Sequence, residues 1–98
     1  MRARRKPYTV FVDDNFHYMD ESERYTLGHF ATYEKAVAAA KRIVDKFLAA
    51  QHKTGMSAEE LLKKYKSFGQ DPYVVPDDRE PGFSAWTYAE ERCHSICD

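Results

Sequence analysis

Residues 13–24, Asp-Asp-Asn-Phe-His-Tyr-Met-Asp-Glu-Ser-Glu-Arg, gather five carboxylates, a histidine and the bulky Phe16, Tyr18 and Met19 into one short stretch. In that company Asp13 or Asp14 could orient His17, whose imidazole titrates near neutral pH and could act as a general base. Such an enzyme also needs a nucleophile, oxyanion donors or a glycine-rich phosphate cradle, and the neighbouring sequence supplies none of these. As a recognition loop the segment is better equipped, because Asp14, Phe16, His17, Tyr18, Asp20 and Glu21 would present charge and aromatic area together. An EF-hand calcium loop requires glycine at its sixth position and glutamate at its twelfth. Counted from Asp13 those positions hold Tyr18 and Arg24, and counted from Asp14 they hold Met19 and Tyr25, so neither register fits.

Cys93, His94 and Cys97 make a second cluster. On a helix the two cysteines would share a face at i and i+4, as soft ligands for zinc. A closed zinc site takes four ligands, and His17, His29 and His52 are all distant in sequence. The spacing is also not the Cys-x-x-Cys of thiol oxidoreductases. Two reduced, core-facing thiols are the simpler reading, and no cofactor is called for. The aromatic set Tyr25, Phe30, Tyr33, Phe83, Trp86 and Tyr88 suits a stacking platform for single-stranded nucleic acid. Few Lys or Arg stand among those rings and the net charge is −1, which removes the usual electrostatic attraction and argues against a nucleic-acid partner.

These residues must be positioned by a chain of 98 residues, enough for one modest core, and its 14% aromatic content favours a folded state. Arg2, Arg4, Arg5 and Lys6 read as a flexible, solvated basic arm, leaving residues 7–98 as a single domain. No run approaches the roughly 20 apolar residues of a membrane span, and no apolar leader follows the arginines. Two cysteines are too few for a secreted disulfide framework, so the expected location is the cytoplasm, with no membrane partner.

Period-two alternation of β-branched and aromatic side chains predicts a strand over residues 8–13 and a second over 24–31, with Gly28 marking a bulge. Thr32 can cap a helix whose apolar stripe runs through Ala36, Val37, Ala40, Ile43, Val44, Phe47 and Leu48. Ser57 and Glu60 form a capping box for a second helix that Gly69 stops. Residues 73–75 read as a short strand, and residues 83–88 as a central one with apolar groups on both sides. Ala89, Cys93 and Ile96 have helical spacing, giving a short terminal helix.

The expected fold is therefore α+β in the order β-β-α-α-β-β with a short C-terminal helix: three or four antiparallel strands packed on one face by two helices. The expected function is a non-enzymatic interaction domain that meets a protein partner, or a second copy as a homodimer, through residues 14–23 and the sheet edge. The alternative is a small enzyme or ligand-binding protein using Asp13, Asp14 and His17 with the Cys93 and Cys97 segment.

Overall fold

The computed structural model describes residues 6–15, 24–77, 79 and 81–97. Alternation over the first strand is realised as β1 (Tyr8–Asp14), followed by β2 (Tyr25–Phe30), α1 (Tyr33–Gln51), α2 (Ala58–Phe68), β3 (Gln70–Val75) and α3 (Ala85–Cys97). The described strands form one antiparallel sheet in the order β2-β1-β3, so β1 is central. Between β1 and β2 the register slips at Val10/Phe11: Val10 faces Gly28 but Phe11 faces Thr26, leaving Leu27 as the extra residue of a bulge beside the glycine.

Among the described residues the observed order is β-β-α-α-β-α, with three strands and not four. Residues 83–88, expected as a central strand, are instead the lead-in and first turn of α3. Ser84 accounts for the difference, since its Oγ accepts from Thr87 N at 3.3 Å and its carbonyl from Tyr88 N at 3.0 Å, starting a helix. Ala85, Ala89 and Cys93 then recur every four residues and are all buried, a helical periodicity that outweighs the two-residue alternation before it.

The long helix serves two cores. Thr32 caps it by accepting from Lys35 N at 3.1 Å, and its small residues Ala36 and Ala40 let the first half lie closely on Val10, Val12 and Val74 of the sheet. Val44 and Leu48 of the second half pack instead with Leu61, Tyr65, Ala85, Ala89 and Cys93. Where two helices were expected to pack on one face of the sheet, α1 makes most of that contact. Helices α2 and α3 pack on α1 and on each other, with α3 also meeting β3.

Asn15 and Tyr65 tie the end of β1 to this helical layer. The Tyr65 carbonyl, near the C-terminus of α2, accepts from Gly69 N at 2.8 Å and from Asn15 Nδ2 at 2.9 Å, and Asn15 N donates to Gly69 O at 2.9 Å. The fully buried Tyr65 donates its hydroxyl to Gln70 O at 2.7 Å, which fixes where β3 begins. After β3 the loop closes around Asp77, whose carboxylate accepts from Tyr33 OH at 2.9 Å and Phe83 N at 3.0 Å. A Cβ at Gly82 would stand 2.7 Å from that carboxylate, so the approach requires glycine.

Candidate functional site

Alternation along the strands sends Val10, Val12 and Val74 inward and turns Thr9, Phe11, Asp13, Asp71, Tyr73 and Val75 to the other face. None of these six joins either hydrophobic cluster. Register stacks them in rows. Phe11 is directly opposite Tyr73, with ring centroids 5.8 Å apart, and Asp13 is directly opposite Asp71. Thr9 Oγ1 lies 3.0 Å from His29 Nδ1 across the β1–β2 pair.

Charge is concentrated at one end of this face. Arg24 donates from Nε to Asp13 Oδ1 at 2.7 Å, and its guanidinium lies 5.7 Å from the Tyr73 ring centroid. Asp71 has no such partner: no hydrogen bond or ion pair from any described residue reaches its carboxylate. Burial pushes that carboxyl up to about 6, and the facing charge of Asp13 pushes in the same direction. Asp71, Tyr73, Phe83, Ser84 and Trp86 border a cleft of about 380 Å³ between β3 and the start of α3.

The two borders of the sheet differ. Along β3, Pro72 removes a backbone donor, and the Phe83 to Trp86 stretch stands beside the strand. Along β2, which among the described strands pairs only with β1, Tyr25 and Leu27 are 42% and 37% exposed. Beside that edge runs a groove of about 350 Å³ lined by Leu27, Phe30, Ala39 and Ile43 with Arg42 and Lys46 at its rim. Neither cation has a carboxylate partner among the described residues.

Of the residues singled out from sequence, Asp14 ends β1 opposite Gln70, and Asp13 is held by Arg24. Phe16, His17, Tyr18, Asp20 and Glu21 lie outside the described residues. Cys93 is buried in the helical cluster and Cys97 is half-buried against it, both as free thiols. Burial pushes the Cys93 thiol up to about 11, with Cys97 and Glu90 adding to the shift, so it is held as the unreactive thiol. The described residues contain no group of three or more His, Cys, Asp or Glu arranged to hold a metal ion. No described helix is long and apolar enough to cross a membrane.

Sequence reasoning passed over Asp71, Tyr73, Leu27, Arg42 and Lys46. The alternation around Pro72 hinted at the first two, but the carboxylate pair exists only through the β1–β3 register. Among the described residues, fold and surface together define a small α+β unit with one face of its sheet outside the core and a β2 border that no other strand covers. Compared with models of protein families, with curated proteins and with solved structures, the chain matches none of them.

Proposed function

We propose that this chain is a non-enzymatic protein-interaction domain that takes an extended segment of a partner onto the border of β2. The observation carrying the proposal is that among the described strands β2 pairs on one side only, exposing Tyr25 and exposing Leu27 at an apolar groove. An added strand would gain main-chain hydrogen bonds from the border and seat alternate side chains in the groove. The bulge at Leu27 divides the border and so restricts the register such a strand can adopt.

Partner chemistry follows from the rim, where Arg42 and Lys46 favour a segment carrying acidic residues. Self-pairing of β2 about a two-fold axis would bring the two copies of α1 onto the same face, rim against rim. That like-charge approach favours a different protein over a homodimer. Residues 14–23 remain part of the proposal from sequence, and all but Asp14 and Asn15 of them lie outside the described residues. The enzymatic alternative has no supporting observation among the described residues.

A photo-crosslinking residue placed at Tyr25 or Leu27 tests the reading, with the exposed Ala49 on α1 as control position. The expected outcome is capture of a partner from the β2 positions alone, lost in Leu27→Lys while circular dichroism stays unchanged. Equal capture from Ala49, or an unchanged yield in Leu27→Lys, would reject the proposal.

A further inference from the structure

We propose that the cleft between β3 and the start of α3 binds an alkylammonium ion, with Asp71 as its counter-charge and Tyr73, Phe83 and Trp86 as its aromatic wall. This site is on the opposite border of the sheet from β2 and is independent of the interaction proposed there.

Three observations point to the same ligand chemistry. First, Asp71 is a half-buried carboxylate that no donor or cation of the described residues satisfies, although Arg24 is close enough to hold Asp13. A desolvated negative charge left unpaired by its own fold is a standing cost, and a bound cation removes it. Second, three aromatic residues border the cleft beside this carboxylate, Phe83 and Trp86 while also packing against the core, and aromatic rings attract ammonium groups through their quadrupoles. Third, two of those rings already draw cations of the chain itself: Lys66 Nζ is 5.5 Å from the Trp86 ring centroid, and the Arg24 guanidinium is 5.7 Å from that of Tyr73. Neither of these cations forms an ion pair with Asp71, whose carboxylate stays available to a ligand.

Other ligand classes fit less well. An anion would meet the Asp71 charge, and the α3 N-terminus is capped by Ser84. A neutral apolar molecule would bury the carboxylate further without compensating it. The cleft, at about 380 Å³, has ample room for a trimethylammonium head group.

Trp86 is the only tryptophan, so intrinsic fluorescence reads the cleft directly. Choline, the uncharged carbon isostere of choline, and a short peptide carrying trimethyl-lysine are each titrated into the intact protein. The expected result is a saturable change with choline or with the peptide, about tenfold or more weaker with the isostere, and weakened by about tenfold in Asp71→Asn. Response to choline identifies a small-molecule cation, and response to the peptide alone identifies a protein side chain. The Trp86 indole signal in a ¹H–¹⁵N spectrum confirms that Asp71→Asn remains folded. Equal binding of the isostere, unchanged binding in folded Asp71→Asn, or no saturable change with either cation would overturn the proposal.

Discussion

Asp71 faces Asp13 across the β1–β3 register without a donor of its own, and this arrangement sets a pH dependence. Burial and the facing Asp13 charge push its carboxyl up to about 6 in the folded chain, against about 4 in an unfolded one. The folded state therefore holds a proton that the unfolded state has released, and the associated stability is fully present below about pH 4 and lost as pH rises through 6. Asp71→Asn is expected to flatten this part of the stability profile in urea denaturation. It should also raise stability at pH 7 by on the order of 1 kcal/mol, after discounting for the carboxylate's partial exposure. Keeping a destabilising charge is the pattern expected of a binding group. Cys93 makes the opposite case, because its thiol is enclosed and pushed up to about 11. A thiol reagent at pH 8 should modify Cys97 first and reach Cys93 only upon unfolding, as peptide mapping by mass spectrometry would show. Residue type alone marked both cysteines as core groups. Nothing in the sequence around Asp71 could show that its neighbour in space is Asp13, since their register pairing joins positions 58 residues apart.

The two capped helices show which elements could be read in advance. Both bonds of the Ser57–Glu60 capping box form, at 3.1 Å each, and the backbone and hydroxyl of Ser57 hold the Glu60 carboxyl below its usual range. Ser57→Ala should cost roughly 1 kcal/mol and speed amide exchange in the first turn of α2. At the other end of that helix, Asn15→Ala should cost about 1 kcal/mol or more in urea denaturation, because it frees the Tyr65 carbonyl from one of its two donors. The sequence displays the first cap and hides the second. Ser57 and its partner are three residues apart, while Asn15 reaches Tyr65 from another element. The misreading of residues 83–88 has a related cause: Phe83, Ala85 and Thr87 alternate as a strand would. The helical signal needed Ala85, Ala89 and Cys93 to be seen on one buried face.

Across the whole molecule, the two borders of the sheet divide its possible roles. β1 is enclosed by partners on both sides, so its amides should exchange only through large-scale opening, whereas those of β2 should exchange faster by local fraying. Hydrogen-exchange mass spectrometry would resolve the two strands, and equal protection would contradict an open β2 border. The α+β class and the hairpin were legible because alternation and caps are local. The sheet order was not, for β3 comes to the far side of β1 only after both helices.

That order also constrains how the chain assembles. Thr9 must wait for Val75 before the central strand has both neighbours, and the intervening segment emerges from a ribosome over roughly 3–13 seconds at usual rates of synthesis. The β1–β2 hairpin and α1 are complete once Gln51 has emerged, 24 residues before Val75, and the β3 side of β1 stays unfilled until β3 follows. For those seconds the nascent chain carries a second vacant strand position, one that the finished protein closes with its own β3.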